Sequence, residues 1–129
     1  MRAWATENHF SSWLGLSPAP NISGGRVINH EPHRVRNRVA NALRMAASTL
    51  IRSQSYLGAR YRHLRTKLGA PKAMKAMARH LACLVYRMLT KGQKWVDRGA
   101  QHFQHKRTQR ELASLKRKAS ALGMRLIAI

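Results

Sequence analysis

A chain of 129 residues with 44% apolar content is long enough for one small domain and can bury a core. Its 25 Lys and Arg stand against four acids (Glu7, Glu31, Asp97 and Glu111), a formal charge of +21 that repels itself unless a polyanion neutralises it. Composition speaks against a membrane span, because no run of about 18 apolar residues occurs, and against an internal disulfide, because Cys83 is the only cysteine.

The charge is unevenly placed. Residues 1–32 hold Arg2 and Arg26 against Glu7 and Glu31, whereas residues 33–129 hold the other 23 basic residues and two acids. Nucleic acid is the usual partner of such a density. The opening "MRAWATENHF" has no apolar core of a secretory signal. A reduced compartment is expected, with Cys83 an inert thiol in a helical apolar pattern.

Residues 6–14, "TENHFSSWL", read as a short helix with Thr6 as N-cap and Phe10, Trp13 and Leu14 on one face. Residues 15–32 read as a long Gly/Pro loop. Pro32 then opens a helix over 33–52, with an apolar stripe of Val35, Val39, Leu43, Ala46 and Leu50. Ser53 or Ser55 is placed to cap a helix over 56–68, whose face is Leu57, Tyr61, Leu64 and Leu68. Gly69 ends it and Pro71 begins the next, over 71–91, where Met74, Met77, Leu81, Leu84 and Met88 recur at spacings of three and four. That stripe predicts core, with Met77, Leu81, Leu84 and Met88 buried. After a hinge, Thr108 and Glu111 have the spacing of a capping box for "QRELASLKRKASAL". The tail "MRLIAI" is a candidate terminal strand. The fold class is therefore all-α: four or five helices, a long N-terminal loop, and a short C-terminal strand as an option. As organisation, 1–32 is a lead-in and serine loop, 33–92 a helical core and 93–129 a basic helix and tail.

Three groups of residues carry candidate chemistry. "ISGGRV" places Ser23 beside Gly24 and Gly25, which let the backbone bend and a substrate approach closely. A serine there suits a nucleophile, a phosphate cradle or a plain bend, and taken alone the bend is the simplest. A nucleophile needs activation and cations to hold a phosphate. The four scattered acids offer no metal-binding cluster, so no metal site is expected in this chain. His30 with His33, and His102 with His105, are three apart, too few for a zinc site with the cysteine remote. Tyr56, Tyr61 and Tyr86 lie on or near apolar faces, and Trp4, Trp13 and Trp95 read as core anchors.

The segments "ENHFSSWLGLSP…ISGG", "S-x-LGA-x-YR-x-LR…LGAPKA" and "A-x-x-LA-x-LVY-x-ML" resemble the C-terminal part of the IS-one-ten insertion-sequence transposases, recombinases guided by a bridge RNA. The resemblance covers essentially the whole chain. It implies that Ser23 is the nucleophile that joins covalently to DNA, with Gly24 and Gly25 letting the strand approach. Arg26, Arg34, Arg36 and Arg38 are candidate phosphate contacts by position and charge. It also implies an N-terminal ribonuclease-H-like domain with four metal-binding acids, which this sequence does not contain. Mg²⁺ thus belongs to that domain, and no cofactor is expected here. The chain resembles a fragment that starts near the family's helix-hairpin-helix region and is expected not to transpose DNA alone. DNA is the implied partner, with a guide RNA and a homo-oligomer in the intact family and no membrane. Two departures stand out: "RVINHEPHRVRNR" replaces a Lys- and Thr-rich stretch, and "WVDRGAQHFQ" replaces a Tyr-Val-Asp-x-Gly…Tyr-Glu pattern. The alternative is a non-catalytic basic nucleic-acid-binding protein, an RNA chaperone or ribosome-associated factor.

Overall fold

The computed structural model describes residues 3–31, 37–92, 94 and 97–127. Among them it is mostly helical, in the order α1 (Glu7–Trp13), β1 (Ala19–Ser23), β2 (Arg26–Glu31), α2 (Arg38–Thr49), a 3₁₀ turn (Leu50–Arg52), α3 (Tyr56–Leu68), α4 (Ala70–Lys91) and α5 (Gly99–Ala121). The all-α expectation holds, with one two-stranded sheet added.

Helix α4 is the hub. It packs against α1, α2 and α3, while α5 packs against α3. The core consists of Phe10, Leu14, Leu16, Ala40, Ala47, Tyr61, Ala73, Met77, Ala78, Ala82 and Tyr86. Alanines dominate it: Ala40 and Ala47 on α2, and Ala73, Ala78 and Ala82 on α4, are all fully buried. Small side chains let helix axes approach closely, so alanine supplies contact here that its modest apolar area does not advertise.

Helix α1 starts as expected. Thr6 is extended and its hydroxyl accepts the His9 N–H. The helix closes with a paired motif in which the Gly15 N–H donates to Ser12 and the Leu16 N–H to Ser11, so that Leu14 and Leu16 both turn into the core. Trp4, Phe10 and Trp13 cluster, with ring centroids 5.1 Å (Trp4–Phe10) and 4.9 Å (Trp4–Trp13) apart. Tyr86 of α4 donates its hydroxyl to the Trp4 carbonyl at 2.7 Å. Arg87 clasps both carboxylate oxygens of Glu7, with Nη2 2.6 Å from Oε1. These bonds fasten the N-terminal segment to α4.

Several expectations require correction. Residues 19–31 are not a loop but an antiparallel hairpin. The Gly-Gly pair forms its two-residue turn with φ of 57° and 74°, the conformation a tight hairpin demands. Pro20 is tolerated because both strands of a two-stranded ribbon are edges. Helix α2 starts at Arg38, not at residue 33, because Asn37 is extended and its side chain accepts from Val39 and Ala40. Its buried face is Ala40 and Ala47, with Leu43 and Leu50 partly buried, while Val39 and Ala46 face solvent. Val35 lies outside the described residues. In α4 the buried line is Ala73, Met77, Ala78, Ala82 and Tyr86. Leu81 is packed against that core, but Met88 is 47% exposed. Leu68 and Trp13 are also exposed. Thr108 is interior to α5, its hydroxyl bonded to the Gln104 carbonyl, and Glu111 pairs with Arg107. Residues 124–127 form no strand.

Candidate nucleic-acid interface

The family-like segments resolve largely into structural work. In "SYLGARYR", Ser55 caps α3 by accepting the Gly58 N–H at 3.1 Å. Gly58 lies against the backbone of the preceding turn, so that a Cβ there would collide with the Ser53 carbonyl. Ala59 and Tyr61 are buried. Arg62 donates one Nη to the carbonyls of Ile51 (3.1 Å) and Ser53 (2.6 Å). The motif is a corner between the 3₁₀ turn and α3. Tyr61 and Tyr86 are core residues, as packing predicted.

The hairpin brings Ser23, Gly24, Gly25 and Arg26 together at one tip. Ser23 and Arg26 are paired residues flanking the turn, and all four are exposed. Nothing lies within 4 Å of a Cβ built on either glycine, so the turn is surrounded by open space. Among the described residues no side chain hydrogen-bonds to the Ser23 hydroxyl, and no group of three His, Cys, Asp or Glu comes together. The donor set therefore does not fit a Mg²⁺ centre. Arg38 is exposed at the start of α2. Arg34 and Arg36, together with His33 and Trp95, lie outside the described residues. A pairing register slip between Asn21 and Ile22 makes Ile28 an extra residue in β2.

Below the tip lies a feature that sequence reading missed. A groove of about 790 Å³ runs between the hairpin and one face of α4. Leu16, Pro18 and Ile28 line it together with Arg60, Lys72, Lys75, Arg79 and Arg87, and Glu7 is the single carboxylate among its lining residues. Arg87 is committed to Glu7, which holds that carboxyl below its usual range. Burial, and then the nearby Arg44, lower the Lys75 ammonium pKa. His80, also in the lining, is pushed down to about 4, by burial first and then by Arg60 and Arg87, so its ring is neutral near pH 7. Its Nε2 is buried without a hydrogen-bond partner among the described residues. Burial raises the Cys83 thiol pKa, while the side chain stays partly exposed. The residues are spread from position 7 to position 87, so no local spacing announces the groove.

Residues 1–62 match the family model described as Transposase IS116/IS110/IS902 family. The matched part, just under half of the chain, is similar to that family. The match spans α1, the hairpin, α2 and the first half of α3, and so includes Ser23, the glycine turn and Arg62. No curated protein and no solved structure matches the chain. Among the described residues no helix is long and apolar enough to cross a membrane.

Proposed function

We propose that this chain is the DNA-engaging, serine-bearing part of a transposase and acts in DNA transposition and recombination. The observation that carries the reading is the hairpin tip within the family match: an exposed serine beside a two-glycine turn, with a cation two residues beyond that turn's first glycine. Ser23 is the nucleophile toward a DNA phosphorus. Gly24 and Gly25 have no side chains to obstruct a strand, and Arg26 and Arg38 offer charge to its phosphates. Arg34 and Arg36 retain that role by position alone.

The chain's own residues do the binding and presenting. Ser23 attack forms a serine O–P bond, breaks a P–O bond in the DNA backbone and leaves a free hydroxyl on the departing strand. The hydroxyl proton must pass to a base, and none of the described residues is placed to take it. Metal-bound acids that would supply activation belong to a ribonuclease-H-like partner domain, for which the acids here are unsuited. A guide RNA and homo-oligomeric assembly belong to the same reading.

The test joins the chain to the nuclease domain of a relative, with its guide RNA, and looks for a covalent protein–DNA species by denaturing electrophoresis. Wild type gives the adduct, and Ser23→Ala abolishes it while leaving DNA binding within about twofold. An adduct that survives Ser23→Ala places the nucleophile elsewhere.

A further inference from the structure

The groove beside the hairpin combines apolar and basic lining residues. Pro18 and Ile28 are exposed apolar members. Arg60, Lys72, Lys75 and Arg79 are basic members, none ion-paired to an acid among the described residues. Arg79 makes a 3.2 Å bond to the neutral Asn8 side chain. Arg87 alone has its charge matched, by Glu7. Unpaired cations lining one groove attract an anion that can meet several of them at once. The volume is within the range of pockets that enclose small ligands, enough for a few nucleotides of one strand.

We propose that this groove is a channel for a segment of single-stranded DNA, with backbone phosphates on Arg60, Lys72, Lys75 and Arg79 and bases against the exposed side chains of Pro18 and Ile28. The proposal rests on the reading of the hairpin as a DNA-engaging element, because β2 supplies Ile28 to the groove and Pro18 immediately precedes β1. DNA is favoured over RNA because the apolar Pro18 and Ile28 offer nothing to a ribose 2′-hydroxyl, the group by which proteins select RNA. The lining residues include no Trp, Tyr or Phe, so phosphates, not base stacking, carry the binding, which is tolerant of sequence and strongly salt-dependent.

The experiment is fluorescence anisotropy of the full chain with a labelled oligothymidylate of about 12 nucleotides, alongside an oligouridylate and a DNA duplex. One variant carries Lys72→Glu, Lys75→Glu and Arg79→Glu. Its control carries Lys116→Glu, Arg117→Glu and Lys118→Glu on the exposed face of α5, with the same change in net charge. The groove variant should lose at least tenfold in affinity for the DNA strand and flatten its salt slope by roughly 2, since each phosphate contact contributes about 0.7 on single strands. The control should lose less than threefold. Equal losses in both variants would overturn the proposal, as would tighter binding of the RNA or the duplex than of the DNA strand.

Cys83 supplies a second measurement on the unaltered protein, independent of whether any variant folds. It lies in the groove lining and is the chain's single cysteine. Saturating DNA strand should slow its alkylation by maleimide at least fivefold, and an unchanged rate refutes occupancy. Neither readout involves Ser23. Loss of the covalent adduct in the chimera with Cys83 still protected would therefore count against the nucleophile and not the groove, and the converse holds.

Discussion

The Asp97 carboxylate accepts the backbone N–H of Tyr56 at 2.9 Å, across 41 positions of sequence. The same oxygen accepts the Gly99 N–H at 3.0 Å. One side chain thus caps the starts of both α3 and α5. These two bonds hold its pKa below the usual range. Phe103 of α5 meets Tyr56 edge-on at 5.4 Å, with His63 at 6.0 Å, and completes the docking. The Asp-x-Gly of "WVDRG" is therefore a joint between helices. Asp97→Ala should free α5 while leaving the other helices packed. Tryptic cleavage at Lys94 and Arg98 should accelerate several-fold, with Asp97→Asn intermediate because its amide oxygen still accepts.

Gly58→Ala should be among the most damaging single changes. The added Cβ would collide with the Ser53 carbonyl oxygen, and would lie 2.9 Å from the Ser53 carbonyl carbon and 3.0 Å from the Leu50 oxygen, all backbone. No rotamer relieves this. A loss of about 3 kcal/mol is expected from such overpacking, read as a lower denaturant midpoint. An unchanged midpoint would mean that α3 does not lie against the 3₁₀ turn as described.

Met77 and Met88 lie on the same predicted stripe but have opposite fates. Met77 is fully buried and Met88 is 47% exposed. Met77→Ala should cost about 2–5 kcal/mol, whereas Met88→Ala should fall within about 0.5 kcal/mol of wild type. Equal losses would restore the original stripe.

That contrast shows what was legible in the sequence and what was not. Helix α4 was legible because Gly69, Pro71 and Gly92 punctuate it and its apolar residues keep helical spacing. Its exact face was less so, because hydrophobic pattern weighs Met88 heavily and Ala82 lightly, while the fold buries Ala82. Helix α2 shows the same inversion, with Ala40 inside and Val39 outside. The hairpin was hidden because Ile22, Val27 and Ile28 are all more than half exposed, which leaves no alternating buried face to detect. Thr108 and Glu111 imitated a cap in mid-helix. Ser23 was singled out through the family resemblance, whereas the groove needed residues that only the fold brings together.

Stability should depend on acidity through His80. Its folded pKa of about 4 lies below the ordinary 6.5, so the unfolded chain binds the extra proton first. Stability should therefore be fully present above about pH 6.5 and decline as pH falls toward 4, where the loss levels off. Glu7 and Asp97 have lowered pKa values, so their contributions fade only at more acidic pH. Thermal melts from pH 7 to 4.5 should show Tm falling by a few degrees, and His80→Gln should remove most of the slope. A slope unchanged in His80→Gln assigns the effect to another group.

The glycine turn at the hairpin tip has its shape set by backbone torsion and touches nothing else. Residues 23–26 share no atoms with the core, so the cost of altering Ser23 is not entered in the folding equilibrium. If Ser23 is the nucleophile proposed above, a copy of the gene that loses it would still fold. Selection on shape and selection on reactivity would then act on separate parts of one short chain. On the proposed reading such copies would compete for the same DNA, visible as proteins that melt like the parent and form no adduct.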